Sequence, residues 1–130
     1  MEKRSLKGQT FRAADGSIFR ILEGEENACA VFVQEGVDDA PLFFCCDAQL
    51  TDRGLKGSYV VSYAVTLREF LAQAEKAFDG GEAAGEQEVL GKLREKYYKI
   101  PKAFLSLVAR LALDEKSRRG EKRGKREEVI

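Results

Sequence analysis

The sequence contains no histidine. That absence excludes Ser-His-Asp and Cys-His nucleophilic sites, which need an imidazole base. It also excludes His-ligated zinc and the 2-His-1-carboxylate iron site. The one side chain that titrates unperturbed near neutral pH is missing with it. Tryptophan is absent too, and with it the strongest single residue for stacking and binding hot spots.

Cysteine is scarce, at Cys29, Cys45 and Cys46. The number is odd and no spaced pair resembles a metal knuckle. Cys45 and Cys46 are adjacent, so on a strand they point to opposite faces and do not easily share a metal. They suit small buried hydrophobes in a reducing compartment. The sharper alternative is a redox pair between Cys29 and one of the other two on a neighbouring strand. No flanking Lys or Arg depresses a thiol pKa there.

Long apolar runs are missing as well. Nothing approaches the roughly 20 residues that span a bilayer. Met1 to Thr10 is charged with no apolar run behind it, so no secretory signal and a cytoplasmic location are expected. No phosphate loop or dinucleotide fingerprint occurs, and no cofactor is expected. Asp38-Asp39 falls far short of a calcium loop, and no metal is expected. Asp47 and Asp52 are a weak acid–base candidate and read more simply as turn formers. The chain is expected not to be an enzyme.

What is present is an ordinary globular balance: 130 residues, 44% apolar and 34% charged. That length suits one core. Residues 1–9 are polar and basic and read as a flexible arm. Residues 10–115 read as a single domain. Thr10 to Ala14 and Ser17 to Glu23 flank Asp15-Gly16, a hairpin signal. Ala28 to Gln34, Leu42 to Cys46 and Ser58 to Val65 complete about five strands over residues 10–65. The run Val31-Phe32-Val33 suggests a strand covered on both faces. Asp47 to Gly57 reads as a long connection.

The period then changes from two to 3.6. Thr66 to Glu69 has capping-box spacing. Leu67, Phe70, Leu71, Ala74 and Phe78 make one apolar stripe. Asp79 to Gly81 stops that helix and Glu82 to Gly85 reads as a linker. A second helix is expected over Glu86 to Tyr98, with Leu90, Leu93 and Tyr97 inward. Pro101 suits the first position of a third, running to about Lys116. Strands first and helices after predict an α+β fold: an antiparallel sheet with two or three helices packed on one face.

Charge is segregated although it sums to zero. Residues 1–20 carry net +3, residues 21–91 net −10 and residues 92–130 net +7. The last fifteen residues hold Lys116, Arg118, Arg119, Lys122, Arg123, Lys125 and Arg126 with almost nothing apolar, so residues 116–130 read as a disordered basic tail.

These features predict a small interaction or regulatory module acting through protein–protein contacts. Tyr63, Tyr97 and Tyr98 are its aromatic candidates. The alternative is an accessory protein bound to nucleic acid, with Lys92, Lys96, Lys99, Lys102 and the basic residues of the tail contacting phosphate or an acidic partner. A second alternative is an acidic decoy that inhibits a basic nucleic-acid-binding protein.

Overall fold

The computed structural model describes residues 4–78 and 85–129, with side chains through Ser117. Five strands follow in order: β1 Thr10–Arg12, β2 Ile18–Gly24, β3 Ala30–Gln34, β4 Pro41–Thr51 and β5 Gly54–Thr66. Each pairs antiparallel with the next, so the sheet is a simple meander. Helices α1 Leu67–Ala74, α2 Glu86–Lys96 and α3 Lys102–Val129 come after it, with a 3-10 turn over Glu75–Phe78. The α+β class and the strand-then-helix order agree with the sequence pattern.

The first hairpin forms where Asp15-Gly16 placed it. The Ser17 amide donates to Asp15 Oδ1 at 2.9 Å, and Gly16 takes φ +91°. That bond to the ionised form holds the Asp15 carboxyl below the usual carboxylate range. Helix α1 starts at the expected cap: Thr66 Oγ1 accepts from the Glu69 amide at 3.2 Å.

Both faces of the sheet are buried, and they feed two separate cores. Val31, Leu42 and Phe44 face the helices, where they meet Phe70, Leu93, Phe104 and Val108. Ile21, Ala30, Phe32 and Cys45 face the other way and pack around Leu6 and Ala48. On this second face Phe11, Phe19, Phe32 and Phe43 lie side by side, with ring centroids 5.3–5.8 Å apart. The sheet curls enough that the β4–β5 turn reaches β1, where a Cβ on Gly54 would lie 2.9 Å from the Arg12 carbonyl oxygen.

Three expectations change. Residues 5–9, read as a loose arm, are laid along β2. Gly8 N–H donates to Ile21 O, Ile21 N–H to Gln9 O, and Leu6 N–H to Gly24 O. The cause is Leu6, which is 1% exposed and closes the second core. The long connection Asp47 to Gly57 is mostly strand, with Leu50 opposite Leu55 and Thr51 opposite Gly54. Its glycines mark close backbone approach rather than a loop, since a Cβ on Gly57 would sit 3.0 Å from the Cys46 carbonyl oxygen. Finally, α3 does not end near Lys116, and its backbone is helical to Val129. Lys, Arg and Glu are good helix formers, and Gly120 and Gly124 each cost about 1 kcal/mol against Ala. The expected helix stop at Asp79 to Gly81 lies outside the described residues, as do Glu82 to Ala84 of the linker.

Two glycine replacements are expected to move stability in opposite directions. Gly54→Ala meets both a backbone oxygen and φ +118°, and should destabilise by about 1–3 kcal/mol. Gly91 lies on the exposed face of α2 with nothing within 4 Å of a Cβ, and Gly91→Ala should stabilise by about 0.5–1 kcal/mol. Urea unfolding midpoints check both.

Candidate functional site

The β4–β5 pair is where the sheet departs most from regularity. Phe44 is opposite Val61, but Cys46 is opposite Ser58, so β5 carries one extra residue between them. Between Cys46 and Gln49 the extra residue is in β4. Each slip centres on a non-glycine residue in left-handed backbone: Tyr59 at φ 50° and Asp47 at φ 52°. A third slip, towards Pro41, includes Ala64 at φ 58°. The two bulges on either side of the ladder are tied together, because Ser58 Oγ donates to Asp47 Oδ2 at 2.6 Å. Such bulges re-aim a side chain, and a bulky residue at positive φ is held there by its surroundings at a cost.

The side chain re-aimed here is Tyr59. It is 60% exposed, and its neighbour Val60 is 58% exposed. One face of the Tyr59 ring lies parallel to Phe104, with centroids 6.1 Å apart and planes 9° apart. Phe104, in the first turn of α3, is buried and stacks on Phe44 at 4.7 Å. The Tyr59 hydroxyl lies 3.5 Å from that of Tyr63, whose ring is 6.0 Å from Phe44. A continuous aromatic path therefore runs from the main core to the surface and ends at Tyr59. Removal from water, together with the hydroxyl of Tyr59, pushes the Tyr63 phenol up to about 12.

The sequence candidates fall into three groups. Tyr98, Lys96, Lys99 and Lys102 come together at the α2–α3 junction, all exposed. Tyr98 is 73% exposed, with Lys99 Nζ 6.0 Å from its ring centroid. This junction leads directly into the turn of α3 that bears Phe104, so its charge lies at the same end of α3 as Tyr59.

The second group is turned inward or held apart. Tyr97 is not a surface residue: it packs 4.7 Å from Phe70 and donates its hydroxyl proton to the Glu69 carbonyl. It follows Leu93 by four residues, which puts it on the buried stripe of α2. Burial raises its phenol pKa. Lys92 is half-buried and paired with Glu95 at 3.5 Å. Lys116 is not part of a free tail, because its Nζ sits 3.9 Å over the Phe78 ring. It is about 21 Å along the helix from Lys102 at 1.5 Å per residue, too far to share one patch. The third group, Arg118, Arg119, Lys122, Arg123, Lys125 and Arg126, has side chains outside the described residues.

Sequence reasoning missed two features. The alternation of Ser58 to Val65 puts Tyr59 on one face with Tyr63, as core rim or binding face, and no local signal announces its bulge. The other is a groove of about 670 Å³ between β1 and the β4–β5 turn, lined by Arg4, Arg12 and Arg53 together with Phe11 and Asp52. None of the three arginines takes part in an ion pair among the described residues. They are far apart in sequence, and only the curl of the sheet assembles them.

Elsewhere the acidic segment is partly neutralised within the fold. Glu23 pairs with Lys7 at 3.6 Å, Asp39 with Arg68 at 3.4 Å, and Glu35 with Arg20. Asp47 is engaged by Ser58, while Asp52 lies on the turn that borders the arginine groove, so the two do not form an acid–base pair. Among the described residues no group of three or more His, Cys, Asp or Glu is arranged to hold a metal, and no helix is long and apolar enough to cross a membrane. Comparison with protein-family models, with curated proteins and with solved structures finds no match.

Ultraviolet titration checks the tyrosine pair. Tyr63 is expected to ionise near 12, above the ordinary value of about 10. Tyr59→Phe should lower that midpoint. Because the folded value is raised, stability is unaffected below about pH 10 and falls as pH climbs to about 12, where the unfolded chain loses its proton first.

Proposed function

We propose that the chain is a non-enzymatic interaction module that binds a protein partner through the surface centred on Tyr59. The observation that carries this is Tyr59 itself, a large aromatic held exposed on left-handed backbone and braced from behind by a buried ring. Strain of this kind is paid where a side chain must be presented in one orientation. Tyrosine suits the task, since it supplies wide contact area at low entropy cost and is enriched at binding hot spots. The exposed Val60 is the neighbour of Tyr59 in sequence, and the exposed Lys99 and Lys102 lie near the end of α3 that bears Phe104. The matching partner is a protein segment with an apolar or aromatic anchor flanked by acidic residues. The three thiols fit a reducing cytoplasm as its place of action.

Tyr59→Gly separates presentation from folding, because glycine accepts the left-handed backbone without strain. The variant should unfold within about 1 kcal/mol of wild type. Its affinity for a partner isolated with the wild-type chain should drop about 30-fold or more, the loss of one hot spot. Equal retention of every partner by both forms, measured by affinity capture and then by calorimetry with the purified partner, would sink the proposal.

A second reading, association with nucleic acid, rests on the arginine groove rather than on the tail. Three guanidinium groups around one cavity, without an ion pair among the described residues, suit phosphate, and Phe11 in its lining offers an aromatic residue for a base. Anisotropy of labelled single-stranded DNA between about 50 and 200 mM salt tests it. Replacing Arg12 and Arg53 by Gln should weaken binding and reduce the salt slope by about 1.4, at 0.7 per phosphate lost. An unchanged slope would exclude the groove.

A further inference from the structure

The thiols present a second chemistry that the partner-binding surface does not use. Cys29 precedes β3 and Cys46 lies within β4. The register Ala30↔Cys45 places them directly opposite one another, one position further along the ladder. The ladder continues past them, with the Ala48 amide donating to the Ala28 carbonyl at 3.0 Å. Both side chains point to the helix face and pack at the edge of the main core. The Cys29 thiol donates to the Cys46 sulfur across 3.9 Å. Opposed residues on antiparallel strands have Cα atoms about 4.5–5.5 Å apart, inside the range of about 4.4–6.8 Å that a disulfide spans. Closing the pair therefore needs side-chain rotation and no strand movement.

Cys45 is the natural internal control. It is adjacent in sequence yet points into the opposite core and is completely buried. Burial pushes its thiol up to about 11, which keeps it protonated and a poor nucleophile.

We infer that Cys29 and Cys46 are a redox couple, a cross-strand dithiol that a hydroperoxide converts to a disulfide. One sulfur of the pair, as thiolate, attacks a peroxide oxygen. The O–O bond breaks, a sulfenic acid forms, and the departing oxygen takes a proton to leave as water when the oxidant is hydrogen peroxide. The second sulfur then attacks the first. The S–O bond breaks, and the hydroxide released takes the second thiol proton to give another water. In total two thiols are oxidised, one peroxide is reduced, and two waters form. A low-molecular-weight dithiol reverses the step by exchange. The product would lock the β2–β3 turn to β4.

The test uses the full-length reduced chain with hydrogen peroxide added in stoichiometric steps, followed by intact mass and non-reducing peptide mapping. The expected result is a loss of two hydrogens per chain, restored by dithiothreitol, with one linked peptide pair containing Cys29 and Cys46. Cys29→Ser and Cys46→Ser should each abolish the loss, and Cys45→Ala should keep it. The wild-type map alone decides the case if a variant fails to fold. Addition of oxygen atoms to separate thiols without a link would overturn the inference, as would a link that uses Cys45.

Discussion

Strand β4 carries side chains to two places at once, and the rest of the molecule depends on that division. Leu42 and Phe44 go to the helices, while Phe43 and Cys45 go to the opposite core. Shifting the strand by one residue would exchange the two sets, so the register is fixed from both sides. The helices can then dock only on the face that Phe44 defines, and the curl of the sheet encloses only the face that Phe32 and Phe43 define. A sheet with one solvated face would have left the register far looser.

The bulges leave that register intact. Between Phe44↔Val61 and Leu50↔Leu55 the extra residue in β5 is offset by the extra residue in β4, so the two strands come back into step. The bulges centre on Tyr59 and Asp47, with Ser58 and Asp47 joined by a hydrogen bond. The residue that bears the strain thus faces outward next to the main core. Tyr59 sits on Phe104, and Phe104 sits on Phe44.

Much of the fold was legible because period and punctuation agree. The Asp15-Gly16 hairpin, the change of period at Thr66 and the stripes on the three helices each have a local physical cause. The misses share a different cause. Leu6 lies in the segment read as a basic arm, because the core that needs it exists only after the sheet curls. Gly54 and Gly57 looked like loop residues, although they are there to let backbones touch. Tyr97 was placed inward by its spacing and also offered as a contact residue; the spacing was right. At the site, Tyr98 and its lysines were visible because they are contiguous. Tyr59 and the three arginines were not, since a bulge and a groove are properties of paired strands.

The docking of the N-terminal segment has a consequence for how the chain is made. Lys7 contacts Asp114 on α3, and its ammonium pKa is raised chiefly by that carboxylate. The segment that precedes β1 is therefore fastened by a helix residue 107 positions further along the chain. Until α3 is made, the core around Val31, Leu42 and Phe44 lacks Phe104, Leu105 and Val108. During synthesis the sheet and the first two helices thus wait with an incomplete core, and apolar surface exposed in such a state favours aggregation.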